Sequence, residues 1–316
     1  MRAIQVSEFG GPEVLVAVSL PDPVASSDEI LVDVHAAGVN YADTSRAAGS
    51  YRVASPLPFV PGTEVVGVTA NGRRVVGLNF AGGGYASVAA VPAAYAVEVP
   101  STVDDAAALA LLVQGLTAWY LLRESARIRP GDSVVVNAAA GGVGSLAVQL
   151  AREFGARRVI AAASSVEKRE LALSLGASAA IDSSVDGYVS RVRDANGGEP
   201  VDVVLDATGG PALTAAIEAL APLGRVVTYG NASRSDQPVL DTGTLGAANA
   251  GVLGFWLRPL LERPSAFTGP LGELLALVAA GKLRALSSEY ALADARQAHE
   301  DLRARRTTGK VVLRVS

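Results

Sequence analysis

A glycine-rich turn between a buried strand and a helix constrains the fold of this 316-residue chain more than any other feature of its sequence. The turn, Ala139-Ala140-Gly141-Gly142-Val143-Gly144, follows the apolar run Ser133–Asn137 and precedes a helical pattern at Leu146–Phe154. It fits G-x-G-x-x-G with alanine in the first position. Glycine lets the backbone approach a phosphate, and the free N–H groups that open the helix point at it. The turn therefore predicts a dinucleotide-binding βαβ unit.

Strand and helix patterns continue to alternate after this turn. Alternation with buried strands is typical of an α/β protein with a doubly wound parallel sheet, here of six strands. The further predicted strands are Arg158–Ala162, Ala179–Ile181, Val201–Asp206, Arg225–Tyr229 and Val252–Phe255. The predicted helices between them are Val166–Leu175, Gly187–Ala195 and Pro211–Leu220.

The first hundred residues have a different pattern, in which short β-prone runs are separated by clusters of glycine, asparagine and proline. This spacing predicts an antiparallel barrel or meander. The runs are Ala3–Val6, Leu15–Ser19, Glu29–Ala36, Val65–Val68, Arg74–Gly77 and Tyr85–Val91.

The end of the chain predicts a discontinuous domain. A helical pattern at Asp104–Glu124 separates the two halves, and helices are predicted again at Leu271–Ala280 and Ala293–Arg303. A predicted strand, Lys310–Val315, then ends the chain. Because a lone strand is more stable in an existing sheet, we expect it to return to the N-terminal β-rich domain. The predicted domains are 1–118 with 257–316, and 119–256.

Composition excludes several kinds of site. The chain has no cysteine and two histidines, which excludes disulfides, thiolate-bound zinc and a cysteine nucleophile and disfavours any metal site. A net charge of −4 gives no basic field for nucleic acid or an anionic membrane. The apolar stretch Ala106–Leu122 predicts a buried helix, and the N-terminus lacks a signal-peptide pattern. We expect a cytoplasmic protein with no membrane or nucleic-acid partner.

The end of the second strand of the predicted sheet favours NADPH over NADH. An NAD site places a carboxylate there, but the first carboxylate is Glu167, inside the next predicted helix. Ser164 and Ser165 can donate to a 2′-phosphate, and Lys168 brings a positive charge, with Arg169 as a further candidate. The alternative for Lys168 is an exposed helix residue paired with a neighbouring glutamate.

Six segments carry a resemblance to one family, in the family's own order. They are Ala37–Asp43 (A-G-V-N-x-x-D), Leu57–Glu64 (L-P-x-x-P-G-x-E), Gln114–Ala118, Ala138–Gly144, Thr228–Asn231 and Thr308–Val312. Together they span nearly the whole chain and resemble the zinc-independent quinone oxidoreductase branch of the medium-chain dehydrogenase/reductase superfamily. The resemblance implies a GroES-like β-rich catalytic domain beside a Rossmann domain.

The departures from the zinc enzymes of that superfamily bear on the chemistry. The zinc alcohol dehydrogenases have Cys and His at positions that correspond here to Val39 or Asn40, and to Thr63. Without zinc as a Lewis acid, alcohol oxidation loses its main source of alkoxide stabilisation. Quinones and α,β-unsaturated carbonyls are electrophilic enough to need less help. The resemblance therefore implies hydride transfer from NADPH to such an acceptor.

The resemblance also implies a set of site residues. Tyr51 and Asn40 correspond to catalytic positions of the family. Two roles are open for Tyr51: a donor of a hydrogen bond or proton to the acceptor, or an aromatic residue that only shapes the pocket. Asp43 is expected to organise its loop, and Thr63 to be structural. The cofactor-binding positions it implies are Asn40, Thr117, Ala140, Gly141, Gly142, Val143, Gly144, Ser164, Ser165, Lys168, Tyr229, Gly230 and Asn231. Of the two histidines, we expect His35 to be structural and His299 to be solvent-exposed on a charged helix.

Three functions remain open at this point. The first is an NADPH-dependent quinone reductase, and the second an enoyl or enone reductase acting on an α,β-unsaturated carbonyl or acyl thioester. Basic residues that could hold a thioester substrate are Arg46, Arg52, Arg258 and Arg263. The third is a nucleotide-binding protein without efficient turnover. The resemblance further implies a homodimer, formed through the edge of the nucleotide domain at Val252–Leu257.

Overall fold

Two units make up the computed structural model, which describes residues 1–315. The first comprises Met1–Gln114 together with the chain from Leu261 onwards, and the second comprises Gly115–Leu260. Both boundaries lie four residues from those that the sequence predicts. The first falls inside the helix Asp105–Ser125, where no turn or proline marks a division in the sequence.

The strands are numbered in chain order within the described residues. They are β1 Arg2–Gln5, β2 Val16–Ser19, β3 Glu29–Val39, β4 Glu64–Thr69, β5 Arg74–Leu78, β6 Val88–Pro92, β7 Ala96–Glu98, β8 Ser133–Asn137, β9 Arg158–Ala163, β10 Ala179–Asp182, β11 Val201–Asp206, β12 Leu220–Thr228, β13 Gly251–Gly254, β14 Ser287–Ala291 and β15 Lys310–Arg314. The helices are Tyr41–Ala47, Asp105–Ser125, Gly142–Glu153, Val166–Ser174, Tyr188–Ala195, Pro211–Glu218, Thr242–Ala248, Leu257–Leu260, Ser265–Ala279 and Ala295–Arg303.

The first unit is built on a sheet in the order β14-β15-β3-β4-β5-β7, with β6 also paired to β3. Strand β15 lies antiparallel to β3, with Val311 opposite Val39 and Arg314 opposite Ala36. The C-terminal strand thus returns to the N-terminal sheet, as expected for a strand that has no predicted neighbour in sequence with which to pair. Its core contains Val34, Val65 and Leu313, all buried.

The second unit contains the predicted parallel sheet, in the order β10-β9-β8-β11-β12-β13. Strand β8 is central and all five of its residues are buried, as expected for a strand that is apolar at Val134, Val135 and Val136. The chain order reverses between β8 and β11, and such a switch point is where doubly wound sheets bind ligands at the carboxyl ends of their strands.

The helix Asp105–Ser125 is long and apolar enough to cross a membrane by length and composition, but 78% of its apolar window is buried inside the protein. It begins at an Asp104 side chain that accepts a hydrogen bond from the Ala107 N–H. Leu111–Gly115 and Leu121–Ser125 are π-helical turns, which the sequence does not predict. The prediction of a buried core helix is consistent with this packing.

Candidate active site

The glycine turn has the geometry of a phosphate site. Ala138, at the end of β8, adopts a left-handed φ of 53°, and the Gly141 N–H donates to the Ala138 carbonyl at 2.9 Å. The helix Gly142–Glu153 then begins without any side-chain cap. Its first N–H groups, at Gly142, Val143 and Gly144, have no acceptor within residues 1–315 and so remain available to an anion.

Gly144 sets how closely this helix can approach β8. A Cβ at Gly144 would lie 2.8 Å from the Ala139 Cα and closer still to the Ala138 carbonyl oxygen. A Cβ at Gly141 would meet only that same oxygen, at 3.3 Å. Gly144 is therefore required for packing of the turn, whereas Gly141 leaves space beside the open N–H groups.

A buried polar network that the sequence analysis missed lies at the switch point. Asn137, the last residue of β8, donates from Nδ2 to Asp206 at the end of β11 (3.0 Å) and accepts from the Tyr188 hydroxyl (2.7 Å). Asp206 also accepts from the backbone N–H groups of Thr208 and Gly209 (3.1 and 2.9 Å). The network joins the ends of β8 and β11 and fixes the loop that follows β11. Both carboxylate and amide close predicted apolar strands, which is the signal that could have identified them.

At the end of β9 the candidate 2′-phosphate residues have distinct environments. Ser165 caps the helix Val166–Ser174 by accepting from the Lys168 N–H at 3.3 Å, and Ser164 is exposed. Arg169 donates to the Ala163 carbonyl (3.1 Å) and pairs with Asp182 (2.9 Å). Ser164, Ser165 and the half-buried Lys168 thus lie at one helix start, while Arg169 is bound to the neighbouring strand β10.

The remaining predicted cofactor positions of the second unit are near the ends of strands or inside a helix. Thr117 is buried in the helix Asp105–Ser125. Tyr229 and Gly230 directly follow β12, and burial raises the pKa of Tyr229 well above its usual value. The Asn231 amide donates to the Ser235 carbonyl (2.9 Å) and accepts from the Ser233 hydroxyl, so it shapes its own loop. The part of these residues in cofactor binding stays a prediction.

In the first unit Asn40 lies in a buried charged network. Its Nδ2 donates to Glu64 Oε2 at 2.7 Å, and its Oδ1 accepts from Lys310 Nζ at 3.0 Å. Lys310 and Glu64 form an ion pair, and both side chains are 0% exposed. The second Glu64 oxygen accepts from the Val113 N–H at 2.7 Å. Asn40 is thus held by opposite charges on its two amide ends, with one Nδ2–H left without a partner among residues 1–315.

A second buried cluster lies next to this network. Asp43 accepts from the Asn40 N–H at 2.8 Å and from the Tyr85 hydroxyl at 3.3 Å. The Tyr85 hydroxyl also lies 3.0 Å from His299 Nε2. Asp43 is the third residue of the helix Tyr41–Ala47, and its bond to the N–H of the N-cap residue Asn40 holds the start of the helix, which is consistent with the loop-organising role expected of it.

The prediction that His299 is solvent-exposed is wrong. His299 is 1% exposed and packs edge-on against Tyr85. Although the helix Ala295–Arg303 is rich in charged residues, Ala295, Ala298 and His299 share one helical face, and that face is buried. His35, by contrast, lies 3.3 Å from Asp105 on the partly exposed side of β3.

Burial shifts the pKa values of two groups of this cluster, Asp43 and His299, in opposite directions. It raises the pKa of Asp43 to about 6 and lowers the pKa of His299 to about 4. Between pH 4 and 6 the folded state holds a proton on Asp43 that the unfolded state releases, so Asp43 makes the free energy of unfolding fall as the pH rises. Between pH 6.5 and 4 the unfolded state protonates His299 and the folded state does not, so His299 makes the free energy of unfolding fall as the pH falls.

We therefore expect substitutions of Asp43 and His299 to change the pH dependence of the free energy of unfolding in opposite directions. In Asp43→Asn only the contribution of His299 remains, and the free energy of unfolding falls more steeply than in wild type from pH 6.5 to 4. In His299→Gln only the contribution of Asp43 remains, and the free energy of unfolding falls less steeply than in wild type, or rises. At about 1.4 kcal/mol per pKa unit, urea unfolding at several pH values resolves the difference. Parallel curves for both variants and wild type would contradict the assignment.

Tyr51 lies in the segment that follows the helix Tyr41–Ala47, and it is partly exposed. Its hydroxyl makes no hydrogen bond to any other part of residues 1–315. Arg46 holds this segment in place. It donates to the Ser55 hydroxyl at 3.0 Å and to the Ala81 carbonyl at 2.9 Å, and its guanidinium lies over the Phe59 ring. Arg46 is buried, and three of its five N–H groups donate to protein groups.

The donor set of the first unit does not fit a zinc ion. The positions that the resemblance aligns with zinc ligands hold Val39 or Asn40 and Thr63, and the Asn40 amide is bound to Lys310 and Glu64. A buried ammonium at this place repels a divalent cation. Within residues 1–315, no three His, Cys, Asp or Glu side chains are grouped so that they could hold a metal.

Comparison with known proteins agrees with this architecture. The alcohol dehydrogenase GroES-like domain matches residues 26–101, and the zinc-binding dehydrogenase domain matches residues 142–273. The quinone oxidoreductase of Salmonella typhimurium is 34% identical, and the alignment covers 98% of each chain. The chain belongs to the medium-chain dehydrogenase/reductase superfamily, in its quinone oxidoreductase branch. These matches confirm three predictions made from the sequence: the family, the GroES-like and Rossmann fold, and a quinone oxidoreductase-like enzyme.

Two solved structures from this branch are similar over their full length. The quinone oxidoreductase of Escherichia coli, complexed with NADPH, superposes with a TM-score of 0.93 at 31% identity, and 100% of each chain is covered. That of Thermus thermophilus, solved alone and in complex with NADPH, has a TM-score of 0.87 at 38% identity, again over 100% of each chain.

Proposed function

We propose that this enzyme reduces quinones with NADPH and without a metal ion. The observation that carries the proposal is the open phosphate site at Gly142, Val143 and Gly144, at the switch point of a parallel sheet. Relatives of this chain that carry the quinone oxidoreductase name, two of them solved with NADPH, support the same cofactor and acceptor class.

The second unit offers a consistent set of groups for NADPH. The uncapped helix start at Gly142 accepts the pyrophosphate, and Gly141 presents no side chain to obstruct it. Ser164, Ser165 and Lys168 surround the start of the next helix and bind the 2′-phosphate. No carboxylate precedes Glu167 there to repel a dianion. When bound, NADPH supplies the hydride.

The residues of the first unit stabilise the acceptor. Reduction places negative charge on a quinone oxygen, and a preorganised donor lowers the energy of that charge. The uncommitted Nδ2–H of Asn40 and the hydroxyl of Tyr51 are two such donors. The Tyr51 hydroxyl also holds a proton that it can deliver to the reduced oxygen. Asp43 and Tyr85 are too deeply buried to meet substrate and act by holding Asn40 and its helix.

The alternative acceptor, an enoyl thioester, gains no support from Arg46. Its buried guanidinium donates to Ser55, Phe80 and Ala81, which uses three of its five N–H groups and holds the side chain inside the protein. A side-by-side assay tests the choice: NADPH oxidation at 340 nm with 1,4-benzoquinone and with crotonyl-CoA. We expect turnover with the quinone. Turnover with crotonyl-CoA alone would overturn the proposed acceptor.

Lys168 provides a test of cofactor choice. We expect Lys168→Ala to raise the KM for NADPH about tenfold and to leave the KM for NADH unchanged, since only NADPH carries the 2′-phosphate that an ammonium stabilises. Steady-state kinetics with each cofactor at saturating quinone measure both values. Arg169→Ala serves as the control, because Arg169 is already paired with Asp182. Equal effects of Lys168→Ala on both cofactors would remove it from the 2′-phosphate site.

We also propose that the protein forms a homodimer through β13, the edge strand of the parallel sheet. An unpaired edge is a template for a second strand, and Leu253 on this edge is 39% exposed. We expect sedimentation velocity to give a dimer for wild type and a monomer for Leu253→Lys. Val185→Lys, at a similarly exposed residue on another surface, should remain a dimer. A monomeric wild type, or a dimer in both variants, would contradict the proposed edge.

We also propose that the protein is cytoplasmic, and cell fractionation tests this location.

A further inference from the structure

The ion pair between Lys310 and Glu64 is unusual because it is wholly buried. Both side chains are 0% exposed, yet removing two charges from water costs several kcal/mol per ion before any attraction is gained. Replacing such a pair with apolar residues is often neutral or stabilising. Stability alone therefore gives little reason for this pair to be present.

The pair determines how the Asn40 amide is oriented. An ammonium can only donate, so it must face the Asn40 Oδ1, and a carboxylate can only accept, so it must face Nδ2. Rotating the amide by half a turn would place NH2 against the ammonium of Lys310 and oxygen against the carboxylate of Glu64. Only one of the two orientations is therefore compatible with its neighbours.

Two further contacts hold Glu64 and Lys310 in place. Glu64 is held from its far side by the Val113 N–H, at a π-helical turn. The opposite wall is Gly38, where a Cβ would lie 2.7 Å from the Lys310 Cε and still closer to the Glu64 carboxylate. The side chains of Lys310 and Glu64 thus fill the space beside Gly38 and leave no room for a side chain at that position of β3.

We propose that Lys310 is a positioning residue for quinone reduction: with Glu64 it locks the Asn40 amide so that its remaining N–H is presented to the acceptor oxygen. The ammonium on Oδ1 also polarises the amide, which strengthens the N–H as a donor. The proposal rests on the proposed function for its catalytic consequence, while the locked amide itself can be measured without turnover.

Three sets of variants test it. Lys310→Met alone leaves a buried carboxylate unpaired and can fail to fold, so the informative protein is the pair Glu64→Gln with Lys310→Met, which has neither charge. We expect this double variant to keep the wild-type KM for NADPH and to lose at least tenfold in kcat with 1,4-benzoquinone. Asn40→Ala should lose a similar factor.

The decisive measurement is the kcat of the triple variant, which combines Asn40→Ala with Glu64→Gln and Lys310→Met. Because Lys310 acts through Asn40, adding Glu64→Gln and Lys310→Met to Asn40→Ala should cause no further loss of kcat. Losses that multiply would show that Lys310 does not act through the amide, and an unchanged kcat in the folded double variant would show that the pair is only structural. Either result overturns the proposal.

A measurement without turnover separates this proposal from the proposed function. Hydrogen exchange of the Asn40 side-chain amide, followed by NMR, should be slow in wild type and at least tenfold faster in the double variant. If wild type does not reduce quinone but this difference is found, the proposed function fails and the locked amide stands. If exchange is equal in both proteins, the locked amide fails regardless of activity.

Discussion

Replacing Gly144 by alanine is expected to weaken NADPH binding at least 100-fold, which corresponds to about 2.7 kcal/mol. The added Cβ would lie 2.8 Å from the Ala139 Cα and closer still to the Ala138 carbonyl oxygen, and both are backbone atoms that cannot turn away. The helix Gly142–Glu153 must therefore move away from β8, and its open N–H groups move with it. Displacements of about 1 Å in a binding site are enough for losses of this size.

The matched control is Gly272→Ala. Gly272 also lies within a helix, Ser265–Ala279, and a Cβ there would meet nothing within 4 Å. Alanine is the better helix former, so this variant should be at least as stable as wild type and bind NADPH normally. Fluorescence titration with NADPH gives both affinities. Wild-type affinity in a folded Gly144→Ala protein would contradict the assignment of this turn as the phosphate site.

Lys310→Met is expected to destabilise the protein by about 3–5 kcal/mol, because it leaves the Glu64 carboxylate buried without a cation. Adding Glu64→Gln removes the uncompensated charge and should recover most of that loss. Urea unfolding, with wild type, both single variants and the double variant, gives the coupling energy of the pair.

Arg73→Met is the control for the chemistry of the substitution. Arg73 pairs with Glu98 at the surface, where their side chains are 57% and 66% exposed. Loss of such a pair costs less than about 1 kcal/mol. If Lys310→Met costs no more than Arg73→Met, then Lys310 and Glu64 are not a desolvated ion pair and the account of Asn40 loses its basis.

Much of the second unit could be predicted from local sequence. Ser133–Asn137 and Val201–Asp206 are rich in valine, as expected for strands covered on both faces, and the structure has both strands with the predicted bounds. The glycine turn is a local signal too, since its conformation depends on residues within one short segment. The predicted return of Lys310–Val315 to the first sheet followed from the cost of a lone strand.

The polar core of the first unit could not be predicted in this way. Lys310 and Glu64 are 246 positions apart, and nothing near either residue indicates that a lysine will be buried. His299 was misplaced because its helix was judged by its charge and not by the face it shares with Ala295 and Ala298. The helix Tyr41–Ala47 was missed because seven residues are too few for a periodic pattern, and Asp43 holds its start.

Anaerobic reduction of 1,4-benzoquinone by NADPH, with enzyme that has been dialysed against a chelator, tests whether the protein transfers a hydride to a quinone without a metal ion. NADPH loss at 340 nm and quinol formation by chromatography are followed together, with metal content determined on the same sample. We expect one quinol per NADPH at the rate measured before dialysis, with zinc far below one per chain. Activity that disappears on dialysis and returns with zinc would contradict it.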